Sequence, residues 1–171
     1  SVWRIWMESA LAADDAVDKV DAILDVWRQA ATELKHSCGE LKVVLAEWIC
    51  AHLESSRVRK VSGLVLQSPP TPLKVYELFI EKLMDAQTSK FVGTKGAARV
   101  PIELNRLFEQ AISEYGRNAV DVWLWYATCH LRCADFTMAA AIYDRALKML
   151  RQDLHGDFTA RYQEAVQVEA V

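Results

Sequence analysis

The chain has 171 residues, 52% of them hydrophobic and 25% charged, with six Gly and four Pro. That is enough apolar material for a packed core and too much for a disordered tail. The formal net charge of −3 is far from the whole-domain basicity of a dedicated nucleic-acid binder. The charge is unevenly placed: residues 1–54 hold 5 Lys/Arg against 10 Asp/Glu, residues 55–106 hold 9 against 4, and residues 107–171 hold 6 against 9. No apolar run reaches the roughly 18 residues of a membrane span, and no basic start leads into an apolar segment. The chain therefore reads as soluble and intracellular. Four Cys, at 38, 50, 129 and 133, are too sparse for a disulfide framework and suit a reducing compartment. The opening Ser1-Val2-Trp3, without Met and already inside a helical pattern, reads as the start of a fragment cut from a longer protein.

Apolar residues recur at three- and four-residue steps almost throughout, and strand-like alternation is absent, so the expected fold is all-α. In chain order the periodicity predicts helices over about 2–12, 15–35, 39–54, 57–67, 72–88, 98–115, 119–133, 136–151 and 157–169. Ser68-Pro69-Pro70-Thr71-Pro72 stops one helix and starts the next. Gly93 to Gly96 opens a loop, Pro101 falls in an early helical turn, and Gly116 and Gly156 fit positions just past helix ends.

The stretch VWLWYATCHL, residues 122–131, is the most aromatic of the chain. At 100° per residue, Trp123 and Tyr126 share a face with Ala127 and His130, while Trp125 turns away with Val122, Cys129 and Cys133. A helix apolar on both faces is clamped between neighbours. The next segment, FTMAAAIYDRALKML, gathers Ala139, Ile142, Tyr143, Ala146, Leu147 and Leu150 on one face and puts Asp144, Arg145, Lys148 and Arg151 elsewhere, as an outer helix does.

Parts of this pair echo along the chain. A shift of 120 lays Trp3 and Trp6 over Trp123 and Tyr126, and a shift of 35 lays Leu107-Phe108 over Ile142-Tyr143. Val26-Trp27-Arg28-Gln29-Ala30 fits the same template, and the 35-residue spacing falls among helix-turn-helix repeats. On this reading Trp3, Trp6, Trp27, Phe108, Trp123, Trp125, Tyr126 and Tyr143 are repeat-packing residues.

VWLWY followed by IYDRALKML resembles the half-a-TPR (HAT) repeat, with Trp and Tyr three apart on the first helix and an apolar-aromatic-acidic-Arg-Ala-Leu run on the second. The chain departs from the family where a Glu is usual and His130 stands, and it lacks the Arg expected before the second-helix aromatic. The resemblance implies a right-handed α-α solenoid of antiparallel pairs, a single domain over 1–171 with units of about 2–35, 39–67, 72–115 and 119–150 and a closing helix at 157–169. It also implies a non-catalytic protein–protein scaffold without cofactors, set in an RNA-processing assembly. Within the family, IYDRALKMLRQD before a short closing helix points to the small-subunit processome of ribosome biogenesis. The implied partners are UTP-B-like propeller proteins, the setting pre-rRNA processing in the nucleolus of the nucleus, and RNA contact secondary.

Other chemistries leave weaker traces. Arg57, Arg59 and Lys60, with Lys90, Lys95 and Arg99, could gather as a basic patch for RNA phosphates or an acidic protein face. Asp14-Asp15-Ala16-Val17-Asp18 matches the D-D-x-x-D pattern that holds Mg²⁺ and a diphosphate in isoprenoid synthases, with Asp21 and Asp25 further along the same face. A second acidic motif is missing, and Asp14 and Asp15 read more simply as a helix start. Cys129-His130 with Cys133, His36 with Cys38, and Cys50 with His52 supply zinc-type ligands at the wrong spacing, and the cysteines read as small core residues. Gly93-Thr94-Lys95-Gly96 is too short for a P-loop. Ser68-Pro69 and Thr71-Pro72 are formal sites of proline-directed phosphorylation on what reads as a hinge. The Lys/Asn clamp by which TPR modules hold peptide C-termini is not found.

Overall fold

The structure, a computed structural model, describes residues 2–13, 15–16, 18–88 and 99–169. Among these residues it is all-helical, without strands, and no helix is long and apolar enough to cross a membrane. Nine α-helices follow one another among the described residues: α1 (Val2–Leu11), α2 (Val20–Leu34), α3 (Gly39–His52), α4 (Ser55–Val65), α5 (Leu73–Thr88), α6 (Ile102–Tyr115), α7 (Val120–Arg132), α8 (Phe136–Met149) and α9 (His155–Glu169). Short 3-10 turns, Lys35–Cys38 and Gln152–Leu154, precede α3 and α9. The chain divides into two compact units, Ser1–Leu83 and Met84–Val171.

In the first unit, α1 packs on α2 and α3, and α4 packs on both α2 and α3. The core is drawn from one stripe of each helix: Met7 and Leu11, then Ile23, Leu24 and Trp27, then Leu45, Ala46 and Ile49, then Val58, Val61 and Val65. These spacings of three and four residues are what hold each helix against its neighbours, at about 1.5–3 kcal/mol per large side chain buried. Before α2 the structure departs from the sequence expectation. That helix begins at Val20 rather than near 15, because Asp15, Ala16, Asp18 and Lys19 lie in turns in which the Asp15 carbonyl accepts from the amides of Asp18 and Lys19 at 3.0 and 3.1 Å. Asp15 does not cap the helix; its carboxylate pairs with Lys19. The Ser68–Pro72 segment is not a free hinge either. The fully buried Lys42 ammonium on α3 donates to the Ser68 carbonyl, to the Pro70 carbonyl at 3.1 Å and to the Thr71 hydroxyl at 3.1 Å.

The second unit is centred on α7, which packs against α6, α8 and α9. Val122, Trp123, Tyr126, Ala127, Cys129 and His130 are all buried, so both faces of the aromatic stretch are covered, as its two-sided pattern predicts. Trp125 is the exception and stays half-exposed. On α8, Ala139, Ile142 and Ala146, with Leu150 at its C-cap, are buried while Asp144, Arg145 and Lys148 are exposed, the one-sided pattern of an outer helix. Asp135 caps α8 by accepting from the Met138 amide at 3.1 Å. Pro101 sits at the N-cap of α6 rather than inside its first turn, its carbonyl accepting from Asn105 at 3.0 Å. Gly156 lies in the first turn of α9, not beyond a helix end.

Gly116 does follow α6, but for a different reason from the left-handed backbone usual there. Its φ is −58°, and a Cβ would stand 2.6 Å from the Ile112 carbonyl oxygen. Backbone cannot yield as a side-chain tip can. Gly116→Ala is therefore expected to destabilise the chain by about 1–3 kcal/mol, checked by the urea midpoint of the variant.

Candidate functional site

The basic residues predicted from sequence are only partly brought together. Arg57, Arg59 and Lys60 stand on the first turns of α4, and among the described residues none of the three has an ion-pair partner. Arg57 and Lys60 line a cavity of about 380 Å³ with Asp21 of α2, Ser56 and Val61. The Asp21 carboxylate on that wall weakens its field for phosphate. Arg99 is exposed ahead of α6 in the other unit, and Lys90 and Lys95 lie outside the described residues.

The acidic and metal-type motifs do not assemble. Asp14 and Val17 of DDAVD lie outside the described residues, as do Gly93 to Gly96. Asp15 is paired with Lys19 and Asp25 with Arg28. Among the described residues no three His, Cys, Asp or Glu side chains are placed to hold a metal ion. Burial pushes the Cys129 thiol up to about 12 and Cys50 up to about 11, which leaves both as thiols at neutral pH rather than as ready ligands. Thr71 has no exposure and its hydroxyl accepts from Lys42, so a kinase could reach it only after this segment opened.

The predicted packing aromatics divide by burial. Trp27, Phe108, Trp123 and Tyr126 are buried; Trp3, Trp125 and Tyr143 are half-buried; Trp6 is exposed at 36%. Ile5, beside it on α1, is 71% exposed, so among the described residues little covers this part of the helix. Tyr143 has a place the sequence reading did not foresee. Its ring lies 5.5 Å from Phe158 and 4.6 Å from Tyr162 of α9, and its hydroxyl meets that of Thr159 at 3.2 Å.

A polar constellation ties three helices of the second unit together. Arg145 of α8 grips Glu109 of α6 with two bonds of 2.6 and 2.7 Å, and the Tyr126 hydroxyl of α7 donates to the same carboxylate at 3.2 Å. The guanidinium also lies over the Trp123 ring, 5.6 Å from its centre. One turn on, His130 meets Asn105 through Nε2 at 3.2 Å and Asp135 through Nδ1 at 3.3 Å. Hydrogen bonding from Arg145 holds Glu109 below the usual carboxylate range, while burial and the adjacent carboxylate push the Tyr126 hydroxyl up to about 12. Each group is engaged with another of the same unit, so the constellation is an internal tie rather than a reactive centre.

That tie has a pH signature. Glu109 has a folded pKa below its unfolded value, so its stabilisation is complete above the unfolded value of about 4.3 and is lost as pH falls through the folded one. Glu109→Gln is expected to cost about 0.5–1 kcal/mol at neutral pH, the range of a half-exposed pair. The gap from the parent chain should close in acid, which denaturant melts at a series of pH values would read.

Sequence reading missed a second feature, a groove between α1 and α3 built on Leu11, Val44 and Trp48. The Trp48 indole donates to the Leu11 carbonyl at 3.0 Å. Only the contact across 37 residues makes it a site; the signal in the sequence was no more than Val44, Trp48 and Ala51 at helical spacing. Compared with models of known protein families and with curated proteins, the chain matches none.

Proposed function

We propose that the chain is a HAT-type helical scaffold that binds other proteins and turns over no substrate. The observation that carries this reading is the separation of its cross-helix bonds. Trp3 bonds Glu33, Arg4 bonds Glu40 and Trp48 bonds Leu11 in the first unit, 30, 36 and 37 residues apart. Glu109–Arg145, Arg132–Glu169 and Asp121–Arg161 in the second are 36, 37 and 40 apart. Helices two apart in order also pack, α1 on α3, α2 on α4 and α7 on α9. Contacts that recur one helix pair away support a stack of repeats within each unit.

The setting within that reading is the small-subunit processome in the nucleolus, with UTP-B-like propeller proteins as partners in pre-rRNA processing. It rests on the resemblance of IYDRALKMLRQD and a closing helix to the C-terminal HAT region of U3 small nucleolar RNA-associated protein 6. α9, laid on α7 after that stretch, supports the likeness. An affinity pull-down from nuclear extract, with and without nuclease, tests it. Propeller-rich ribosome-assembly proteins retained after nuclease are the expected result, and loss of every partner would sink the scaffold reading.

The free cations Arg57, Arg59 and Lys60 favour one alternative, an RNA-binding module. It requires affinity for RNA that drops steeply with salt and that charge reversal at these three residues removes.

A further inference from the structure

The groove between α1 and α3 has a chemistry of its own. It is a shallow, solvent-open depression of about 440 Å³ over a floor of Leu11, Val44, Trp48 and Ala51. Trp48 is held from two sides. Its Nε1 donates to the Leu11 carbonyl at 3.0 Å, and the His52 ring stacks on it with centroids 4.8 Å apart, while His52 Nδ1 meets the Trp48 carbonyl at 2.9 Å. A half-buried indole fixed this way meets a partner without first losing rotamer freedom, as the aromatic anchors of protein interfaces do.

The walls are acidic. Glu8 and Glu47 line the groove, and no Lys or Arg does. Arg4 serves both Glu8, at 2.9 Å, and Glu40, at 3.4 Å, so one guanidinium faces two carboxylates. Glu47 is exposed and has no ion pair among the described residues; Lys74, within its electrostatic reach, is taken by Glu77 at 3.0 Å. Lys42, the cation of α3, is turned to the Ser68–Pro72 segment and fully buried. The groove therefore carries uncompensated negative charge over an apolar floor.

We propose that this groove docks a segment of a partner protein presenting an apolar side chain beside Lys or Arg, the apolar group on Trp48 and the cation toward Glu8 and Glu47. The proposal rests on the scaffold reading and narrows it to one partner chemistry. Panning a random peptide library against the whole chain, then titrating the selected peptides by fluorescence anisotropy, tests it. The expected peptides join an aliphatic or aromatic residue to nearby Lys or Arg, and their affinity falls as salt rises from about 50 to about 200 mM. Glu47→Lys should weaken them at least about tenfold with no change in melting temperature. Trp48→Ala should abolish binding, but because it also removes a bond to α1, the exposed Glu47 separates binding from folding.

Acidic or uncharged peptides, no enrichment at all, or affinity indifferent to Glu47→Lys would each overturn the proposal. So would a concentration-dependent dimer that Glu47→Lys dissolves, which would make a second copy of the chain the occupant, or displacement of the peptides by an RNA homopolymer. A nuclear pull-down in which the Glu47→Lys chain keeps every protein partner would sink the groove and leave the scaffold standing.

Discussion

Trp123→Ala is expected to destabilise the second unit by about 3–5 kcal/mol, the range for emptying a buried indole site. Trp123 has no exposure, its Nε1 donates to the Gly116 carbonyl at 2.8 Å, and Arg145 lies over its ring. Truncation leaves a void beside α6 and α8 that close-packed helices fill only in part, an unsatisfied buried carbonyl and a guanidinium without its aromatic face. Against a total of about 5–15 kcal/mol for a domain, the loss is a large share. At a urea slope of about 1–3 kcal/mol per molar, the midpoint should fall by roughly 2 M. The same change at Trp125, half-exposed on the same helix, should cost about 1 kcal/mol, and at Trp6 less than about 0.5 kcal/mol. Equal losses at all three would contradict the burial pattern assigned to α7 and α1. Hydrogen exchange of the α6–α9 amides would show whether the damage stays within the second unit.

That comparison also marks what could be read from sequence. The helical periodicity placed α7 and α8 within two residues, because their apolar and charged positions separate cleanly around each helix. It carried α2 five residues too far toward the N-terminus, because acidic residues before a helix suit a cap and a turn equally well. Trp6 and Tyr126 occupy equivalent places in the repeat template yet differ in fate, Tyr126 buried and Trp6 36% exposed. Tyr126 has α6, α8 and α9 around its helix, whereas among the described residues α1 packs mainly on α2 and α3. Which copy of a pattern is covered depends on neighbours, and neighbours are tertiary information. The same holds for the Trp48 groove, where Leu11 and Glu8 of α1 complete a surface begun by α3. The Glu109–Arg145 tie was hidden for a further reason: charged residues at helical spacing read as solvated surface unless their partners one repeat away are known.

Lys42 is the sharpest instance of that limit, and its replacement is expected to have the second-largest effect. In GELKVVLAEW a lysine reads as the polar edge of an amphipathic helix, yet this one is fully buried. Two opposing terms decide the outcome. Removing a buried cation recovers its desolvation cost. Against this, the Ser68 and Pro70 carbonyls and the Thr71 hydroxyl lose a charge-assisted donor, and each acceptor left dry costs about 1–3 kcal/mol. The exposed Pro70 and half-exposed Ser68 can turn to water, while Thr71, with no exposure, is shut in. The acceptors therefore outweigh the charge, but not by their full sum. Lys42→Ala, which also empties the space of the side-chain stem, should cost about 3 kcal/mol, and Lys42→Met, which keeps the stem, about 1–2 kcal/mol. Both should expose the Ser68–Pro72 segment to limited proteolysis and allow phosphorylation of Thr71 by a proline-directed kinase in vitro. If Lys42→Met proves as stable as the parent and its segment as protected, the ammonium is a net cost to the fold, and packing alone holds the segment.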